Sequence, residues 1–147
     1  MTLARHGAGV LSQACCLHLQ TLGFGITAPG VPGLPAYAEE LPDQPDAAIG
    51  VFTLPGPAQA DLSGYVTPTV QIVVRSHAGD RQTPVEVAQA IRAALDGTDT
   101  VTWAPGTAHA VDLLTVDSLT SHPTNRGVDP RDRPLWSVEL RTEYLED

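Results

Sequence analysis

The chain contains no lysine, and charged residues of all kinds make up only 17% of its 147 residues. Eight arginines carry all of the fixed positive charge against 17 aspartates and glutamates, so the formal net charge is −9. Proteins that hold nucleic acid through its phosphates usually carry clustered lysine and arginine. The nearest approach to such a cluster here is Arg131 with Arg133. The composition therefore argues against a surface that grips DNA or RNA.

Cysteine is also scarce, and its two copies, Cys15 and Cys16, are neighbours. On a helix their side chains diverge by about 100°, so a disulfide between them would be strained. This excludes a disulfide-stapled secreted scaffold and fits a reducing compartment. The pair also lacks the C-x-x-C spacing of a redox or zinc site.

Long apolar runs are missing as well. The apolar segment near the N-terminus is interrupted by Gln13, His18 and Gln20. We therefore expect neither a signal peptide nor a membrane span there.

Glycine and proline are abundant, at 13 each, which predicts short elements joined by shaped turns. We expect one domain over residues 1–147. Apolar periodicity predicts helices at residues 2–22 and 84–96 and strands at residues 47–54, 68–75, 100–103, 111–119 and 135–144. Residues 27–45 hold five prolines and predict an extended arm, and residues 122–134 predict a polar loop. The predicted fold is α+β: a mainly antiparallel sheet of four to five strands with both helices on one face.

The start of the second helix carries a recognisable signal. Thr83-Pro-Val-Glu86 predicts a capping box, in which Thr83 is the N-cap, Pro84 the first helical residue and Glu86 the reciprocal partner.

No catalytic motif accompanies these elements. The chain has no phosphate-binding glycine loop, zinc-protease motif or nucleophile elbow, and its five histidines are scattered. His109 with Asp112 is more simply turn polarity than a catalytic pair, and Asp43 with Asp46 more simply solvated loop carboxylates than cation ligands. The sequence predicts no enzyme, no cofactor and no metal site.

Four segments, in order, carry a family resemblance. The strands at residues 45–52 and 67–75, the capped helix at 84–95 and the closing strand at 136–144 resemble those of the tail terminator proteins of long-tailed bacteriophages, often called minor capsid proteins. The resemblance covers about two thirds of the chain and includes no invariant catalytic motif.

This resemblance implies a structural virion protein in the tail and neck region, made in the host cytoplasm. Such proteins form a ring, usually of six subunits, that caps the tail tube, stops its polymerisation and joins it to the head or neck protein. DNA passes through the lumen without sequence-specific contacts. An acidic, lysine-free wall would repel phosphates and let DNA slide, although acidity that only aids solubility is the alternative. No membrane partner is implied.

A ring contact is head-to-tail, so two different surfaces must be complementary. We expect Arg75 and Arg141 to meet carboxylates of a neighbouring subunit across this contact. The other interface candidates are Tyr65, Arg126, Arg131, Arg133, Pro32 and Pro35, which lie on the predicted loops and on the proline-rich arm.

Several alternatives stay open at this point. A head-closure or neck connector protein also forms rings around DNA, and a phage-derived injection device uses similar parts. A small monomeric binding domain would use the proline-rich arm as a partner ligand. A hydrolase would need a site that no motif reveals.

Overall fold

A computed structural model describes residues 8–24, 34–55 and 65–145, and its elements confirm the predicted α+β class. Their bounds are α1 Ala8–Thr21, β1 Ala36–Ala38, β2 Ala48–Leu54, β3 Tyr65–Val66, β4 Thr69–Arg75, α2 Gln82–Leu95, β5 Thr98–Trp103, β6 Val111–Ser118, β7 Thr124–Val128 and β8 Pro134–Leu145. The first residues of the predicted N-terminal helix, 2–7, lie outside the described part of the chain.

The sheet has eight strands, so the expected four to five was wrong. Six strands follow the order β1-β2-β4-β8-β6-β5, and β3 and β7 pair with β8 beside this path. The three strands that were not predicted are short, and β7 lies inside the expected polar loop. The sequence of β7, TNRGV, has no apolar alternation because its residues are mostly exposed, so pairing with β8 alone defines it.

Strand β8 is the longest strand of the sheet, with 12 residues, and four other strands pair with it. One edge pairs antiparallel with β4, from Thr69 opposite Arg141 to Arg75 opposite Leu135. The other edge pairs with β6 and β7. Pro68 separates β3 from β4, and its carbonyl accepts hydrogen bonds from the N–H and O–H of Thr142. The interruption fits proline, which has no N–H to donate to a ladder.

One face of the sheet forms the core. Val51 of β2, Ile72 of β4 and Val138 of β8 are cross-strand neighbours, and all three are buried. The buried residues of both helices belong to the same cluster: Leu11, Ala14, Cys15, Cys16 and Leu19 of α1, and Ala88, Ile91 and Leu95 of α2. Both helices therefore cover the same face, as predicted.

The buried stripe of α1 includes both cysteines and ends before Leu22. Cys16 is buried, whereas Leu22 is 41% exposed because the helix ends at Thr21. Burial raises the pKa of Cys15, and burial together with the charge of Glu39 raises the pKa of Cys16 to about 12. Both cysteines are thus held as unreactive thiols.

The capping box at Thr83 was wrong by a few residues. Helix α2 begins at Gln82, and Asp80 takes the capping role: its Oδ1 accepts the backbone N–H groups of Gln82 at 3.3 Å and Thr83 at 3.1 Å. Pro84 is then the third helical residue, still in the first turn, where a missing N–H costs nothing. Glu86 accepts from the Gln82 side chain.

The cap assignment predicts which substitution destabilises the protein. Asp80→Ala removes the acceptor of two first-turn N–H groups and should lower the thermal midpoint clearly, whereas Glu86→Ala should change it little. Hydrogen bonds from the Thr83 side chain and backbone lower the pKa of Asp80, so its contribution is present above pH about 4 and is lost as the pH falls further. Thermal melts at pH 7 and pH 3 check both points. Equal effects of the two substitutions at pH 7 would contradict the assignment of Asp80 as the cap and would favour the capping box at Thr83.

Candidate assembly interface

Arg75 ends β4 and is only 3% exposed. Its Nε donates to the Asp46 carbonyl at 2.7 Å, and its Nη2 donates to the carbonyls of Pro42 at 2.5 Å and Pro45 at 2.7 Å. Burial and the nearby charge of Arg133 lower the pKa of the Arg75 guanidinium. We expected Arg75 to meet a carboxylate of a neighbouring subunit. Its guanidinium is instead buried inside its own subunit.

Arg133 lies beside Arg75 just before β8 and is 4% exposed. Its Nε donates to Asp129 Oδ2 at 2.8 Å, and its two Nη atoms bind Asp43 Oδ1 and Asp46 Oδ1, each at 3.0 Å. Nη1 also donates to the Asp43 carbonyl at 2.7 Å. Arg75, Arg133, Asp129 and residues 42–46 together form what we call the arginine anchor.

The charges of the arginine anchor stabilise one another. Burial alone would lower the pKa of Arg133, but its hydrogen bonds to Asp129, Asp43 and Asp46 outweigh burial and raise it. The hydrogen bond from Arg133 holds the pKa of Asp46 below its ordinary value. Burial opposes ionisation of Asp129, yet hydrogen bonds from Arg133 and Arg131 lower its pKa overall. The anchor is therefore a set of paired charges rather than a set of titratable catalytic groups.

The arginine anchor shows where the end of the proline-rich arm lies. Residues 36–38 pair in parallel with β2, and residues 42–46 return to the ends of β4 and β8 of the same chain. At Gly50 an added Cβ would lie 2.8 Å from the Glu40 carbonyl oxygen, so this loop packs directly on β2. Pro35 is half-buried, and its carbonyl accepts the Ile49 N–H at 2.8 Å. Pro32 lies outside the described residues.

The other interface candidates lie at the surface or at strand ends. Arg131 is exposed and pairs with Asp43 at 3.0 Å. Arg141 is exposed on β8, between Thr69 of β4 and Asp117 of β6. Tyr65 lies in β3 opposite Leu145. The structure thus brings Arg75, Arg131 and Arg133 together but leaves Tyr65 and Arg141 elsewhere on the sheet.

A polar network crosses the sheet face opposite the helices, and sequence reasoning missed its centre, Glu139. Its Oε1 accepts from Gln71 Nε2 at 3.2 Å and from Ser137 Oγ at 3.0 Å, and pairs with the Arg126 guanidinium. Arg126 Nε also donates to Ser137 Oγ at 2.8 Å. Strict alternation along β8 places Ser137, Glu139 and Arg141 on one face. This alternation was the sequence signal from which a polar face around Glu139 could have been predicted.

Most of the fixed positive charge is used within the chain. Of the seven arginines in the described ranges, five donate to acceptors of their own chain: Arg75, Arg92, Arg126, Arg131 and Arg133. Arg81 and Arg141 are exposed with no such bond among the described residues. Asp99, Asp117 and Asp132 are exposed carboxylates. Among the described arginines, Arg81 and Arg141 are therefore the ones left for contact with a partner, beside several exposed carboxylates.

In residues 8–24, 34–55 and 65–145, no three histidine, cysteine or acidic side chains are grouped so that they could hold a metal ion. Over the same ranges, no helix has the length and apolar character needed to cross a membrane.

Residues 18–146 match the model of the family described as bacteriophage tail terminator protein. The chain belongs to the bacteriophage tail terminator family. This confirms the resemblance found in the sequence and makes the chain a structural protein of the phage tail, in a family that associates with the tail tube and head and is not enzymatic. Neither a curated protein nor a solved structure matches it.

We expect Arg133, in the arginine anchor, to contribute more to the thermal stability of this family member than Arg126, which lies outside the anchor. Arg133→Met leaves three carboxylates without their buried cation and should lower the thermal midpoint by on the order of 10 °C. Arg126→Met breaks a half-exposed pair and should lower it by no more than about 4 °C. Differential scanning calorimetry of both variants at pH 7 is the measurement. Similar losses would show that the anchor adds no more stability than a surface pair.

Proposed function

We propose that this family member caps the finished tail tube as a ring of six subunits. One face of the ring stops tube polymerisation, the other receives the neck protein of the head, and DNA passes through the lumen. Each subunit is one domain. The protein is made in the host cytoplasm and works in the virion. The observation that carries the proposal is the family match over residues 18–146.

The distribution of charge supports the passage of DNA. A lumen must surround the duplex without binding it, and phosphate contacts by arginine or lysine would slow sliding. The chain has no lysine, and five of its described arginines are already bonded to their own subunit. Exposed carboxylates such as Asp99 and Asp117 would repel the phosphates of passing DNA.

A head-to-tail ring contact needs at least one complementary pair of surfaces. Of the two arginines expected to pair across it, only Arg141 has an exposed guanidinium, so we keep the intersubunit ion pair for Arg141 alone. Tyr65, Arg126 and Arg131 remain interface candidates. The anchored position of residues 42–46 supports an arm whose base belongs to its own subunit.

Assembly on the tube tests the proposal directly. We expect purified tail tubes to bind the protein at their ends in sedimentation and to stop growing when it is added to polymerising tube protein. Light scattering should give a discrete assembly near six times 15.5 kDa, in solution or on the tube. Binding to portal-bearing heads without binding to tubes would instead indicate a neck connector. A monomer that binds neither would favour a small binding domain.

A charge reversal tests the contact. Arg141→Glu should weaken ring assembly by at least about tenfold, because an attractive intersubunit pair becomes repulsive. Arg81→Glu is the matched control: Arg81 is also exposed, and it immediately precedes α2 rather than lying on a strand. Sedimentation velocity over a concentration series, with circular dichroism to verify folding, measures both. Unchanged assembly of Arg141→Glu, or an equal loss in Arg81→Glu, would exclude Arg141 from the contact.

A further inference from the structure

The segment between β1 and β2, residues 39–47, has no helix or strand of its own. We call it the latch segment. Two guanidinium groups from distant parts of the chain hold it, with six hydrogen bonds to Pro42, Asp43, Pro45 and Asp46. Arg75 supplies three of these bonds, all to carbonyl oxygens, and Arg133 supplies the other three. Four of the six bonds end on backbone carbonyls and two on the carboxylates of Asp43 and Asp46. Two buried guanidinium groups, rather than a buried apolar face, therefore hold the latch segment.

We propose that the latch segment is an acid-released strap, which leaves the ends of β4 and β8 while the rest of the sheet stays folded. Its closed state covers one end of the sheet face opposite the helices. Its open state uncovers Gly50 and the guanidinium groups of Arg75 and Arg133. A subunit interface or partner that uses this end of the sheet would then be under the control of the latch.

Opening is separable from unfolding because the sheet does not need the latch segment for its main pairings. Strand β4 pairs with β2 and β8 through residues 69–75, and β8 pairs with β6 through residues 140–143. None of these ladders includes residues 39–47. The latch segment contacts β2 closely at Gly50, where the Glu40 carbonyl and Leu41 Cβ lie within 3.1 Å of an ideal Cβ position. Glu39, at the start of the segment, is also bonded to β2: its N–H donates to the Val51 carbonyl at 2.7 Å, and its Oε2 accepts the Thr53 N–H at 2.9 Å. Release of residues 42–46 therefore costs the anchor bonds and the contact at Gly50, not the core.

The charges that face the latch segment come from three elements. Glu39, Glu40, Asp43 and Asp46 belong to the segment itself. Arg75 ends β4, and His77 follows it, with Nδ1 3.6 Å from Asp46 Oδ2. The turn before β8 contributes three more groups, Asp129, Arg131 and Arg133. When Asp46 and Asp129 lose their charge in acid, the three arginines keep theirs, so attraction is replaced by repulsion between cations.

The direction of the pH effect follows from the native pairing. Asp46 has a lowered pKa chiefly because of its hydrogen bond from Arg133, and hydrogen bonds from Arg133 and Arg131 lower that of Asp129 against the effect of burial. A carboxylate with a lowered native pKa stabilises the folded state above its ordinary pKa, near 4, and that stabilisation disappears as the pH falls through the native value. Release is therefore expected below pH about 4. Asp46 is 39% exposed, so protons reach it directly.

The Nε–H of Arg75 reports the latch segment because it donates to the Asp46 carbonyl. We would measure its hydrogen exchange by NMR from pH 7 to pH 3, divided at each pH by that of the exposed Arg81 Nε–H in the same sample. This ratio removes the intrinsic pH dependence of exchange. We expect the ratio to rise by at least about tenfold below pH 4 while backbone amides in the β4–β8 ladder keep their protection. Simultaneous loss of protection in the ladder, or an unchanged ratio, would overturn the proposal.

A charge-only variant separates release from acid effects elsewhere. Asp46→Asn keeps an oxygen that Arg133 can use but removes the charge, so at pH 7 it should raise the Arg75 exchange ratio by on the order of tenfold. Asp117→Asn, at an exposed carboxylate on β6, is the matched control and should leave the ratio unchanged. An Asp46→Asn ratio equal to that of the control would show that charge does not close the latch.

Discussion

Pairing along both edges of β8 is the constraint on which the rest of this structure depends. The strand lies near the C-terminal end of the chain, yet β4 and β3 pair with one edge and β6 and β7 with the other. Its alternation supplies Val138 and Leu140 to the core and Ser137 and Glu139 to the opposite face. Because its partners come from positions 65–128, most of the sheet requires long-range contacts, which favours slow formation of the fold.

The second organising feature is the internal use of arginine. Arginine offers a planar fork of donors and stays charged when buried, whereas a buried lysine readily loses its proton. Between them, Arg75 and Arg133 bind four backbone carbonyls and three carboxylates. A lysine ammonium has only three donors and lacks the planar fork. This use of arginine gives one physical reason for a lysine-free chain. It also leaves fewer unbonded guanidinium groups at the surface.

The local apolar pattern of the sequence predicted the longer strands correctly but missed the short ones. Apolar alternation located β2, β4, β6 and β8 to within one or two residues, since each buries one face. The short strands β1, β3 and β7 bury little, and only pairing partners far along the chain define them. The cap of α2 was misplaced because Thr83 and Asp80 both fit an N-cap, and the sequence contains no measure of which oxygen reaches the free N–H groups.

The residues of the candidate interface also separate into those that local sequence predicted and those that only long-range packing positions. Sequence alone determined the family, the α+β class, the acidic charge and the exposed face of β8 that carries Arg141, because each follows from composition or from periodicity within one element. Only the tertiary structure decided that Arg75 and Arg133 are buried together, since their partners Asp43 and Asp46 lie about 30 and 90 positions away along the chain. A charged residue on a strand looks the same in sequence whether it meets solvent, a neighbouring subunit or its own chain. Long-range packing selects among these three environments, and here it placed two of the expected interface residues inside their own subunit.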